Sequence, residues 1–257
     1  VTLFEAAAIL LAGMAAGTIN TVVGSGSLVT FPTLLAFGVP PVSANISNAI
    51  GLVPGSISGA VGYRRELVGQ RARILHLASA TTIGAAAGAG LLLVLPAKAF
   101  SAIVPALILL GLVLVILGPR ISRAVAARHA RLGAGLPENG ARWVWPAIGG
   151  VGVYCGYFGA AQGVLCMAVL GIGVDDDLQR LNAVKNVLAA LGNGVAGVVF
   201  MAAALDQVDW RIVGLIALGA TIGGQIGATW GRKLPAPALR ALIVVVGCVA
   251  LVKLLIG

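Results

Sequence analysis

The chain has 257 residues, of which 59% are hydrophobic and only 10% charged, and its mean hydropathy is +1.04. A soluble domain carries about 25% charged residues, so composition excludes an ordinary soluble enzyme or binding module. The net charge of +9 does not indicate nucleic acid, because the basic residues sit in short stretches between apolar segments, which is the pattern of membrane orientation.

In chain order, the apolar segments read as 3–23, 26–38, 42–62, 74–95, 99–118, 143–158, 160–173, 178–204, 212–231 and 238–256. Most approach the roughly twenty residues that cross a bilayer, so the expected fold class is an all-α polytopic membrane protein. The first segment lacks a basic leader and carries Glu5, so it is not expected to be a signal peptide. Segments 26–38 and 160–173 are too short to span as helices, since thirteen residues reach only about 20 Å. Each follows a glycine break, "VVGSGSL" (22–28) and "YFGAAQGV" (157–164). Short, interrupted segments at matching places in two halves point to a transporter binding site. They read either as re-entrant half-helices or as short tilted spans.

The halves also match beyond the breaks. Residues 34–63 parallel 169–200, with Gly38 opposite Gly173, Ser47 opposite Lys185, Asn48 opposite Asn186 and Gly59 opposite Gly197. Placing the basic loops 63–73 and 119–142, the turn 232–240 and Arg180 in the cytoplasm accounts for thirteen of the seventeen Lys and Arg residues. The repeats then run in opposite directions: a first inverted repeat over 1–118, a basic cytoplasmic linker over 119–142 and a second inverted repeat over 143–257. Each has a glycine-broken short or re-entrant segment followed by three spans.

The polar chemistry lies in these segments. Gly24, Ser25, Gly26 and Ser27 form either a packing corner or the positive end of a half-helix, whose free amides bind anions. Gln162 and Gly163 hold the corresponding place in the second half. Further along, Asn182, Lys185, Asn186 and Asn193 share one side of a helix, as do Asn45, Asn48, Ser56 and Gly59 in the first half. Polar stripes on apolar membrane helices face the bundle interior. Lys185 has no acid at matching depth. It reads either as a snorkelling or structural lysine or as the charge that meets a mobile anion.

Nothing indicates enzymatic chemistry. Cys155, Cys166 and Cys248 have neither metal-site nor disulfide spacing. His76 and His129 lack catalytic companions, and neither a cofactor nor a metal motif is visible. His76, at the cytoplasmic edge, is a candidate for a proton role. No ATP-binding loop is present, so ATP-driven transport would require another subunit.

The stretches "GTINTVVGSGSLVTFPTLLAFGVPPVSANISNAIGLVPGSISGAVGYRREL" (17–67) and "RLNAVKNVLAALGNGVAGVVF" (180–200) resemble the sulfite exporter TauE/SafE family, also called the toluene-sulfonate uptake permease family. The resemblance implies transport of a small sulfur-containing or organic anion, such as sulfite, a sulfonate or a sulfoacetate-like compound, across the cytoplasmic (inner) membrane. Members include exporters and importers. Where many members carry a triple glycine, this chain has "GSGS" and "GAAQG", and the added hydroxyl and amide bear on anion preference. The expected partners are that anion, a coupled proton or sodium ion and membrane lipid. The alternatives are a passive anion channel on the same scaffold and a non-transporting membrane scaffold.

Overall fold

The computed structural model describes residues 2–132, 140–231 and 236–256. They form ten α-helices: α1 (Leu3–Val22), α2 (Ser27–Ala36), α3 (Pro41–Gly62), α4 (Arg71–Val94), α5 (Ala97–Leu132), α6 (Val144–Tyr157), α7 (Gln162–Gly173), α8 (Leu178–Ala203), α9 (Trp210–Trp230) and α10 (Ala236–Ile256). A short 3-10 turn, Leu205–Gln207, precedes α9. The helices follow the apolar segments of the sequence closely. Five helical segments, Leu3–Val22, Arg71–Val94, Ala97–Arg120, Leu178–Ala203 and Trp210–Trp230, are long and apolar enough to cross a membrane. Exposed Leu109, Ile116, Val198, Leu218 and Ile222 form the outer surface that such a bundle turns to lipid.

Local signals set the helix starts. Thr2 and Glu5 close a reciprocal capping box at α1. Asp177 accepts from the Gln179 amide at α8, and Asp209 accepts from the Arg211 and Ile212 amides at α9. One boundary differs from the hydropathy reading. The fifth helix was expected to end near 118 and give way to a linker, yet α5 continues to Leu132. The residues after Pro119 are mostly Ala, Arg and Leu, strong helix formers that carry the helix onward without apolar character. The rest of the expected linker, 133–139, lies outside the described residues.

The two short helices are the return arms of re-entrant hairpins. The Phe4 and Phe37 rings meet edge-on at 6.3 Å, so α2 leads back to the end where α1 began. The Ala141 amide donates to the Gly173 carbonyl at 2.8 Å, so α7 returns to the start of α6. The hairpins open at opposite ends of the bundle. The first opens where α3 begins. That end also holds the α8–α9 connection, because Ser43 donates to Gln207 and the Asp209 amide donates to the Ser47 hydroxyl. The second opens where α4 and α8 begin.

Helix contacts follow the same correspondence. Helix α1 packs on α9 and α6 on α4; α3 packs on α9 and α8 on α4; α2 meets α10 and α7 meets α5; α3 and α8 pack on each other. Small residues bring the backbones together. A Cβ on Gly17 would lie 2.8 Å from the Ala220 Cα, and one on Gly88 would lie 2.8 Å from the Val153 carbonyl carbon. Such close approach is how membrane helices gain contact energy where lipid offers no hydrophobic drive.

At the end where α4 and α8 begin, Asp176 pairs with Arg73 at 2.5 Å and with Arg180 at 2.8 Å. Arg180 also donates to the Val68 carbonyl, and Gln70 donates to the Arg180 carbonyl. The α3–α4 loop is thereby tied to the α7–α8 loop. Burial alone would raise the Asp176 carboxyl. The Arg73 hydrogen bond, the Asp177 amide and the two guanidinium charges outweigh it, and the carboxyl is held below the usual carboxylate range. A carboxylate lowered in the folded state contributes stability above its unfolded pKa, and that contribution is lost as pH falls through the folded value. Asp176→Asn is expected to cost about 1–3 kcal/mol at neutral pH and to remove the part of the acid-induced loss below about pH 4 that the wild-type chain shows. Thermal unfolding in detergent across pH measures both.

Candidate functional site

The broken ends of α1 and α6 share one terminator. The Val23 and Gly24 amides both donate to the Ile19 carbonyl, and the Phe158 and Gly159 amides both donate to the Tyr154 carbonyl. Gly24 and Gly159 have φ of +88° and +72°, the left-handed conformation that ends a helix with glycine. Beyond these ends the two chain breaks touch. The Gly163 amide donates to the Gly24 carbonyl at 2.9 Å, and a Cβ on Gly24 would lie 2.5 Å from the Gly163 Cα.

A helix ending among packed apolar helices leaves carbonyls without partners and a partial negative charge. Helix α1 carries no basic residue in its own last turn. The donors come from α8 instead. Lys185 Nζ donates to the Asn20 carbonyl at 2.9 Å and the Thr21 carbonyl at 3.2 Å. Asn182 and Asn186 donate to the same Thr21 carbonyl at 3.3 and 3.4 Å. At the other hairpin, Asn45 of α3 donates to the Tyr157 carbonyl at the end of α6, at 3.0 Å. Each hairpin tip is therefore held by the other half of the chain. Asn45 and Asn182 are each the fifth residue of their helix, and Asn48 and Lys185 the eighth. By place in the helix, then, Asn48 lies opposite Lys185, one residue removed from the register that the sequence suggests, although its partners are Thr30 and Ser27 rather than a helix end.

Lys185 is only 1% exposed, and no carboxylate pairs with it among the described residues. The cavity beside it, shared with Gln162, Gly163, Cys155 and Cys166, is about 20 Å3. That is room for about one water, so an oxyanion does not fit there in this conformation. Of the alternatives to an anion role, the side chain does not snorkel but makes structural hydrogen bonds to the Asn20 and Thr21 carbonyls of α1.

The remaining sequence-predicted residues divide into two groups. Asn48 accepts from Thr30 at 2.5 Å and donates to Ser27 at 3.3 Å, joining α3 to α2. Ser25 lies at the break with its hydroxyl buried and without a partner among the described residues. Gly26 precedes α2 and passes close to the Ala16 carbonyl. Of the amides expected to form an anion cradle, those of the second half are occupied: Gln162, Gly163 and Val164 donate to Gly159, Gly24 and Ala161. The polar stripes are buried as expected. Ser56 accepts from Asn20, and Asn193 accepts from the Cys155 thiol.

A larger cavity, about 200 Å3, lies on the far side of Asn182, toward the ends where α3 finishes and α8 and α10 begin. Val22 and Val23 line it, and Tyr63, Gln179, Asn182 and Arg240 bring it polar atoms. Sequence reading placed Arg240 in a turn and left Gln179 out. Their spacing carries no signal of this convergence, which arises only when α8 and α10 meet the tip of α1.

Two substitutions test these contacts through thermal unfolding in detergent. Gly24→Ala forces an alanine into a left-handed conformation and against Gly163, and is expected to cost about 3 kcal/mol or more. Gly38→Ala, where φ is +77° but nothing lies within 4 Å, isolates the backbone strain at about 1–2 kcal/mol. Equal effects would contradict the close contact of the breaks. Separately, Lys185→Met takes the α8 donor from the Asn20 carbonyl, while Thr21 keeps Asn182 and Asn186, and with the buried charge also gone it is expected to cost about 1 kcal/mol. Asn186→Ala, removing a longer and shared bond, should cost less.

Comparison with known proteins agrees with this architecture. Residues 9–254 match the family described as sulfite exporter TauE/SafE. Among curated proteins, the chain is 30% identical over 248 residues to the probable membrane transporter protein YfcA of Escherichia coli, covering 94% of this chain and 86% of that protein. It is 27% identical over 252 residues to the probable membrane transporter protein ORF9 of Sinorhizobium, covering 96% and 91%. A probable membrane transporter protein of Haemophilus influenzae is 24% identical over 247 residues, covering 94% and 91%. No solved structure matches. With the family match running through both hairpins and every long helix, the chain belongs to the sulfite exporter TauE/SafE family of membrane transporters.

Proposed function

We propose that this transporter is a secondary carrier of a small sulfur-containing anion, such as sulfite, a sulfonate or a sulfoacetate-like organosulfonate. It works by alternating access across the cytoplasmic membrane. Residues 1–118 and 143–257 act as inverted repeats, a reading supported by hairpins that open at opposite ends of the bundle. Loop 63–73 and the basic stretch 119–142, which includes the end of α5, face the cytoplasm, and the coupled ion is a proton or sodium.

The observation that carries the reading is Lys185. An ammonium buried in a membrane bundle without a carboxylate is costly and is characteristic of a substrate or ion pathway. Here neutral carbonyls satisfy its hydrogen bonds and leave its charge uncompensated. When the tip of α1 withdraws, the anion takes the place of the Asn20 and Thr21 carbonyls. Lys185, Asn182 and Asn186 then face it from one half, and Asn45, Asn48, Ser25 and Ser27 from the other. Gln162, Gly24, Gly26 and Gly163 frame the path between them. Lysine suits this exchange, being a compact point charge that demands no fixed bidentate geometry.

The test is a thermal-stability panel in neutral detergent with sulfite, sulfate, thiosulfate, sulfoacetate, taurine and simple carboxylates. A ligand that binds only the folded state stabilises it, by about 2.7 kcal/mol at a hundredfold excess over Kd. At least one sulfur anion is expected to raise the unfolding temperature, and Lys185→Met is expected to remove that shift. No shift from any sulfur anion, or equal shifts from all carboxylates, would contradict the reading.

A further inference from the structure

The 200 Å3 cavity holds a group that the proposed central site does not use. Arg240, in the first turns of α10, contributes to its wall. Its Nε is buried and has no hydrogen-bond partner among the described residues. A guanidinium N–H in that state is uncommon, because a buried donor without an acceptor is costly. No carboxylate is among the described residues that line the cavity. Opposite Arg240 stand Gln179 and Asn182, two amide side chains on one face of the first turns of α8. Asn182 borders the cavity and also donates to the Thr21 carbonyl that Lys185 approaches. A single carbonyl therefore separates the cavity from the buried ammonium. The volume is below the range of about 300–1,000 Å3 that serves drug-sized ligands, and it suits a small ion.

We propose that this cavity is a loading site in which Arg240 pairs with a compact oxyanion, a sulfonate or sulfite group, before that group passes to Lys185. Gln179 and Asn182 donate to the same oxygens. The fork of the guanidinium matches two oxygens of one headgroup, which a lysine at this position would not. Asn182 is the shared donor: when it turns from the Thr21 carbonyl to the anion, it loosens the cap on α1. With the basic loops in the cytoplasm, the loading site opens on the cytoplasmic side. The assignment rests on the transporter reading above and adds to it where the anion first binds and which cation receives it.

The experiment places a thiol in the wall, as Met167→Cys in a Cys248→Ser background, and follows its modification in neutral-lipid vesicles. The two reagents are a pair of methanethiosulfonates, one carrying a sulfonate and one a quaternary ammonium. The sulfonate reagent is expected to react faster relative to the cationic one by about tenfold, the weight of one favourable charge contact. That preference should be lost in Arg240→Gln and kept in Arg240→Lys, and sulfoacetate should protect the thiol. Equal rates for the two reagents, or the same preference in Arg240→Gln, would overturn the proposal. So would protection that appears only when the vesicles contain phosphatidylglycerol, since the guanidinium would then hold a lipid headgroup. Flux of radiolabelled sulfite in the same vesicles separates the two readings. No flux in the parent chain defeats the transporter, whereas flux with an unchanged half-saturation in Arg240→Gln defeats the loading site alone.

Discussion

The architecture depends on how α1 is allowed to stop inside the bundle. A helix that ends in an apolar medium must find partners for its last carbonyls. Here Lys185, Asn182 and Asn186 reach across from α8 to the Asn20 and Thr21 carbonyls. The positive ammonium also opposes the negative end of the helix dipole. In the opposite direction Asn45 reaches from α3 to the end of α6. Neither hairpin is finished by its own half of the chain, so the halves are locked together by the groups that close each other's helices.

In the proposed mechanism that exchange makes the hairpin tips the moving parts. The bonds that hold them run from neutral carbonyls to donors that other oxygens can equally satisfy, whereas the helix pairs around them are fixed by backbone contact. The α1·α9 and α4·α6 pairs pack glycine against backbone, and on α1 that contact runs to the tip, where Thr18 donates to the Gly223 carbonyl, so withdrawal of the tip has to break it. The breaks meet at Gly24 and Gly163, where no side chain intervenes. A shift at one tip is therefore felt at the other through direct contact, without any connecting chain of residues.

Much of this was legible in the sequence. The hydropathy maxima placed nearly every helix, and the glycine breaks marked both hairpins, because membrane segments report themselves by length and apolar content. The return of α2 and α7 to their starting faces was not legible, since a short segment looks the same whether it tilts or turns back. Lys185 stood out as a charge in an apolar run, but its partners did not. They are backbone carbonyls, which every residue possesses and no side-chain pattern marks. The same blindness hid Arg240, whose surroundings come from helices distant in sequence. The basic stretch after Pro119 was read as a linker because its apolar character ends there, although its helix propensity does not.

The central claim is that anion movement is carrier-mediated, with one site exposed alternately to each side. Counterflow tests it most directly. Vesicles loaded with unlabelled sulfite or sulfoacetate are diluted into a trace of the radiolabelled anion, with no ion gradient or membrane potential imposed. A carrier exchanges label inward faster than the internal pool leaks out, so the account predicts a transient accumulation of label above its external concentration. Label that only equilibrates, with no overshoot at any internal load, would contradict it and identify a pore.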